Sequence, residues 1–430
     1  FNLVSPLEDN SSMLRIITEP WSARTELRRI RERFDDPEIR EKESLVREIV
    51  DQVRLAGDQS LVDYTEKFYQ QSLNLQQLKV SGSELDAAYQ QVSQDLLNAI
   101  AVACAKMEAF HRQRLPKAWV QFPEDGTVRG KRYQPVNSVG IVVPDGKRAY
   151  LSLLLQQAIP AKIAGVKRIV MVSPADEDLR IHPAILVAAQ SVGISEIYRV
   201  AGPQAIAALA YGTKTIAPVE MIAGIGDFYT NLAKKLVSDH VKIDYLSITS
   251  DLVIIADSQA NPRQLALDLL AQAEQYSLAA AILLTTDKAL APIVQEEVQK
   301  QLQIHPQRLL TEKAIAHYGL IVVVESLEKA IELSNLFAPT HLSLMIDEPW
   351  EKISSVRQSG TILLGSTTPK AVADYLGCPV GVETFLNSAT LIEYPADSFA
   401  SIAHNLQILA QAEGFTATDA GIESRGEDKN

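Results

Sequence analysis

Cysteine is scarce in this sequence: only Cys104 and Cys378 occur in 430 residues, too few for a disulfide framework. They read as free thiols of a reducing compartment, which points to a cytoplasmic protein. Basic excess is also missing. The chain has 41 Lys and Arg against 53 Asp and Glu, a net charge of −12. A negative field of that size disfavours phosphate backbones and anionic lipid, so nucleic acid and membrane are not expected partners. The apolar runs, such as Leu252–Ala256 and Leu320–Val324, are strand-length and far short of a membrane span. The opening Phe-Asn-Leu-Val-Ser-Pro has neither the basic start nor the apolar core of a signal peptide. No Walker-type phosphate loop, nucleophile elbow, His-x-x-x-His pair or Cys-x-x-Cys pair occurs.

What is present is alternation. Residues 27–110 carry apolar side chains at helical spacing, as in Val46, Ile49, Val50 and Val53. From Val139 onward, short apolar runs alternate with helical segments. Strands are expected at Val139–Val143, Arg168–Val172, Glu196–Ala201 and Met221–Ala223, and in a second series from Leu252–Ala256 to Thr361–Leu364. Pro160 should kink or shorten the helix over Leu151–Ala164. Strand–helix alternation implies parallel sheets with crossover helices, and such sheets take small ligands at the carboxyl ends of their strands. The expected class is α/β, with two Rossmann-like, doubly wound domains, a helical N-terminal region and an extended C-terminal arm. The expected boundaries are an arm over 1–20, a discontinuous first domain over 21–138 and 250–384, a second over 139–249, and a dimerisation arm over 385–430. Residues 424–430 are expected to fray.

Individual residues say little alone. Gly224-Ile-Gly226 before a helix lets backbone approach a phosphate, or simply makes a tight turn; Asp227 beside it can cap that helix. Ala338-Pro-Thr-His341 places a histidine at the start of a strand, a plausible acid or base. Gln272 and Gln275, beside Glu274, share a helix face. Asp374 ends a short helix begun after Pro369, where a lone carboxylate is ordinarily a solvated surface group.

Taken in order, however, the motifs resemble the histidinol dehydrogenase family. The likeness runs from Met13-Leu-Arg-Ile-Ile through Ser138-Val-Gly-Ile-Val-Val-Pro144 and Ala158-Ile-Pro-Ala-Lys-Ile-Ala-Gly165. It is sharpest at Ala201-Gly-Pro-Gln-Ala-Ile-Ala-Ala-Leu-Ala-Tyr-Gly212, and it continues to Leu409–Thr418. The resemblance implies a homodimer with an intertwined C-terminal part that oxidises histidinol to histidine in two NAD-dependent steps. It implies one zinc per site, held by a glutamine, an aspartate and two histidines, one of them from the partner subunit. It also implies a Glu-His acid/base pair.

Here that pattern breaks. Gln272 and Asp374 stand at the family's glutamine and aspartate ligands, but Gln275 and Thr418 stand at its two histidines. An amide and a hydroxyl replace imidazole poorly around zinc. The Glu-His pair reads Thr340-His341. Ser250 and Glu413 match substrate contacts, and Gln204 a nicotinamide contact. Gly224, Gly226 and Asp227 occupy a cofactor loop, where the Asp227 carboxylate would oppose a diphosphate by roughly 1 kcal/mol. The expectation is a divergent paralogue whose zinc-dependent activity is lost or much reduced, NAD binding possible and zinc doubtful. Two alternatives stand beside it: a dehydrogenase for another small alcohol with His341 as base, and a non-catalytic dimer that binds a ligand or protein partner.

Overall fold

The computed structural model describes residues 14–33, 39–144, 149–245, 251–376 and 380–426. Its main body is built on two parallel sheets. One pairs Glu196–Arg199, Arg168–Ser173, Ser138–Val142, Met221–Ala223 and Lys242–Ile243 in that lateral order. The other orders Arg15–Ile17, Gly319–Val323, Ala280–Thr285, Asp251–Ala256, His341–Met345 and Thr361–Leu364. Apart from the added edge strand Arg15–Ile17, both place their strands as third, second, first, fourth, fifth in chain order, so each has one topological switch beside its first strand. The central strands are buried on both faces; Ser138–Val142, Ala280–Thr285 and His341–Met345 have no exposed position. That is why they read as continuous apolar runs rather than as alternations.

Helices cover both faces of each sheet. Leu265, Ala266 and Leu269 of the helix Pro262–Ala273 pack with Ile254, Leu283 and Ile321 on one face of the second sheet; Leu27, Ile30, Ile331 and Phe337 cover the other. The helix Leu151–Ala164 runs unbroken through Pro160. Its residues Leu154–Ala161 are all buried, and that burial outweighs the one missing backbone bond.

The packing departs from the expected boundaries in three places. Of residues 21–138, the helix Pro20–Arg31 does join the second-series sheet. The following helices instead cover the sheet that starts at Ser138: Val46, Val50, Val53 and Leu61 pack with Ala205–Leu209, and Leu85, Ile100 and Met107 with Ile141 and Ile185. Arg15–Ile17, expected in a free arm, is an edge strand paired with Leu320–Val322. Third, an antiparallel sheet joins Trp119–Gln121, Val128–Pro135 and Leu386–Glu393. The last strand leads into the helices Ala396–Glu413 and Thr416–Gly426, whose principal packing is against each other. The second of these continues to Gly426, so the chain stays helical into the stretch expected to fray.

Candidate functional site

The first cluster lies at the carboxyl edge of the sheet built on Ser138–Val142, at its switch point. Gly224 follows the strand Met221–Ala223 with φ +111°, and a Cβ there would meet the Val142 carbonyl oxygen at 2.4 Å. Only glycine fits both the angle and the approach. Gly226 is equally restricted, since a Cβ would lie 2.3 Å from the Thr230 methyl. Asp227 is the N-cap of the helix Phe228–Leu236, its carboxylate accepting from the Thr230 N–H at 2.8 Å.

A buried ion pair holds this loop. Lys234 Nζ donates to Asp244 Oδ1 at 2.6 Å, to the Gly224 carbonyl at 2.8 Å and to the Tyr245 carbonyl at 3.0 Å. Asp244 Oδ2 accepts from the Gly224 N–H at 2.8 Å, and both side chains are fully buried. Burial drives the Lys234 pKa down and the Asp244 pKa up, each opposed by its partner's charge. On the helix Gly202–Tyr211, the Gln204 amide is buried and meets no hydrogen-bond partner among the described residues. Such an amide is costly to leave unmet and ready to bind a polar ligand.

The second cluster lies at the amino ends of the other sheet, not at the carboxyl ends where a doubly wound sheet usually takes its ligand. His341 starts its strand beside Leu252 and Thr361, on either side of that sheet's switch. The helix Pro262–Ala273 runs back past the sheet and delivers Asp268, Gln272 and Gln275 to the same end. The short helix Lys370–Tyr375 supplies Lys370 and Asp374. Gln275 Nε2 donates to Asp374 Oδ2 at 3.1 Å, so Gln275 and Asp374, expected as neighbours, are brought together.

Lys370 is the residue that sequence reasoning missed. Its ammonium lies 2.7 Å from Asp374 Oδ1 and 2.6 Å from Oδ2, while the side chain is only 1% exposed. The Asp374 side chain is 22% exposed, so the pair reaches solvent on its carboxylate side. Asp268 joins them by accepting the Lys370 backbone N–H; burial raises its pKa to about 6 against the pull of the Lys370 charge. Gln156, on the helix Leu151–Ala164, donates to the Asp374 carbonyl at 2.6 Å and ties this cluster to the other sheet's layer. The available signal was the four-residue spacing of Lys370 and Asp374. A lysine N-terminal to its acid is the less favourable order for a helix, so helix stability does not explain the pair.

His341 is buried, and its Nδ1 meets no hydrogen-bond partner among the described residues. Burial, helped by the Lys370 charge and opposed by Asp374, lowers its pKa to about 4. It is therefore neutral at physiological pH. Thr340 is engaged through its carbonyl, which accepts from the Thr361 N–H at 2.9 Å. Tyr276, one residue past Gln275, has its pKa raised to about 12 by burial and by the Asp227 charge, which places the two clusters within electrostatic reach.

Other expected site residues are not gathered here. Glu413 and Thr418 lie exposed on the two C-terminal helices, and Ser250 falls outside the described residues. The family's zinc does not fit the second cluster as built. Zinc needs free lone pairs on carboxylate or amide oxygen or on imidazole nitrogen at about 2.0–2.2 Å. Both Asp374 oxygens instead receive the Lys370 ammonium, and the Gln275 amide meets Asp374 through its donor end. Among the described residues, no group of three or more His, Cys, Asp or Glu side chains is arranged to hold a metal. Gly224 and Gly226 instead let the loop backbone press against Val142 and Thr230, a close fit that any side chain would break.

Comparison with known proteins agrees with the fold and the motif order. Residues 32–426 match the family model of histidinol dehydrogenase. The chain is 51% identical to the histidinol dehydrogenase of Synechococcus sp., over 96% of this chain and 99% of that one. It is 52% identical to that of Thermosynechococcus vestitus, over 94% and 97%. The crystal structure of histidinol dehydrogenase from Elizabethkingia anophelis superposes with a TM-score of 0.89 at 28% identity, covering 97% of this chain and 99% of that one. This chain belongs to the histidinol dehydrogenase family.

Proposed function

We propose that this chain is a divergent family member in which the zinc-dependent oxidation of L-histidinol to L-histidine is lost or much reduced. One observation carries the reading: the carboxylate that would bind zinc is already closed by the Lys370 ammonium and the Gln275 amide. Thr340 adds to it, because a hydroxyl lacks the basicity to activate water for the second oxidation. The test is NADH formation from L-histidinol with and without added zinc, beside the Thermosynechococcus vestitus relative. The expected rate is at least about 100-fold below the relative's and insensitive to zinc, by the usual cost of losing a general base. A comparable, zinc-dependent rate would overturn the reading.

A second reading is favoured by His341. An imidazole whose Nδ1 is open among the described residues can accept a proton from a small alcohol despite its weakened basicity, with NAD held at Gly224, Gly226 and Gln204 as hydride acceptor. In this reading the chain is a nicotinamide-dependent dehydrogenase for another substrate. Binding of NAD separates it from a purely non-catalytic ligand-binding or protein-binding role. In either case the chain acts as a homodimer. Ile392, Ile408, Leu409 and Phe415 expose apolar surface on the C-terminal strand and helices, and pairing would cover them. Exchange of those helices would bring Glu413 and Thr418 to the partner's pocket.

A further inference from the structure

Lys370 is buried, yet its bonding is incomplete. An ammonium carries three N–H donors. Two are spent on the oxygens of Asp374, and among the described residues the third meets no acceptor. Two groups that the family pattern assigns to a metal pocket or its acid/base pair lie beside it: His341, which feels its charge, and Gln275, which shares Asp374. A lysine this buried needs a reason, because desolvating its charge costs several kcal/mol.

We propose that Lys370 is the built-in cation of this pocket, holding the place against Asp374 that a divalent metal would take and offering its remaining N–H to an oxygen of a small ligand. The inference rests on the reading that zinc chemistry is lost, and it adds the cause. Missing imidazoles alone would leave a weak metal site, whereas a fixed ammonium 2.6–2.7 Å from the carboxylate excludes a second cation from it. Exclusion of this kind persists even when a histidine ligand is restored. The ammonium also has positioning work. Its backbone N–H is fixed by Asp268, its side chain fixes Asp374, and the Asp374 carbonyl is fixed by Gln156, so three helices meet through it.

The experiment uses zinc alone as probe, by equilibrium dialysis against the full chain and three variants: Gln275→His, Gln275→His with Lys370→Gln, and Gln275→His with Lys370→Arg. The expected result is no gain from Gln275→His by itself and a gain of about 10- to 100-fold once Lys370→Gln is added, the scale of changes beside a metal. Lys370→Arg, which keeps the charge, should keep zinc out and stay folded, so that loss of fold in the glutamine variant cannot mimic the result. If Gln275→His binds zinc as tightly with Lys370 as without it, the inference fails and the loss-of-activity reading stands. If the unmodified chain takes up zinc stoichiometrically, both fall together.

Discussion

The two clusters each contain a buried lysine–aspartate pair, and the pairs differ in what they leave undone. Lys234 reaches three acceptors, Asp244 Oδ1, the Gly224 carbonyl and the Tyr245 carbonyl, and nothing on it remains to be satisfied. It is a staple that shapes a backbone loop. Among the described residues the Lys370 ammonium touches one carboxylate, that of the partly exposed Asp374. The contrast separates a lysine that serves the fold from one placed for a ligand. It also shows why the clusters differ so much in their fit to the family pattern. The loop at Gly224 and Gly226 is shaped by glycine backbone packed on Val142 and Thr230. The other pocket is made of side chains, and replacing them changes its chemistry outright.

That contrast can be broken by mutation. Lys234→Met should destabilise the chain by about 3–5 kcal/mol, since it strands Asp244 fully buried. Lys370→Met should cost about 1–2 kcal/mol, because Asp374 keeps some solvent. Urea unfolding checks both, and equal losses would erase the distinction.

Acid should act through His341 and also through His111, a buried imidazole that meets no partner among the described residues and has a pKa lowered to about 4 by burial and by Arg114. Both are depressed below the unfolded value near 6.5. Their neutral burial therefore contributes fully above that pH and is lost as pH falls toward 4, by up to about 3 kcal/mol each. His111→Phe should flatten the acid limb of a stability–pH profile by part of that amount.

Asp268 has the opposite sign. Its raised pKa, about 6, means that its ionisation opposes folding, so its cost appears as pH rises through 6. Asp268→Asn should stabilise the chain at pH 8 by about 1 kcal/mol relative to its effect at pH 4; thermal unfolding at the two values would reveal an unchanged difference if the group is in fact solvated. The smallest effect belongs to Asp227→Asn. It keeps the cap, since asparagine caps as well as aspartate, and it removes one charge from the loop. NAD affinity measured by calorimetry should rise about fivefold, the equivalent of roughly 1 kcal/mol.

Much of the scaffold was legible in the chain. The runs around Ile141, Val170, Ile254, Leu283 and Ile321 announce themselves because parallel strands buried on both faces carry no polar alternation. The antiparallel sheet was not legible: Leu386–Glu393 is largely exposed, Val128–Pro135 is at most half-buried at nearly every position, and the two lie far apart in sequence, so neither carries an apolar pattern. The helices over 39–113 pack against the sheet that follows them, while the short Arg15–Ile17 strand before them joins the other; no local periodicity distinguishes these choices. In the site, Gln272, Gln275, His341 and Asp374 were found through family motifs. Lys370 and Asp268 stayed hidden because an ion pair reads as surface charge until burial reveals it.

The most direct measurement is the metal content of the unmodified chain after expression with ample zinc and removal of loosely bound ions. The folded protein should carry no stoichiometric zinc, because the Lys370 ammonium is held against both Asp374 oxygens. One tightly held zinc per chain would contradict it.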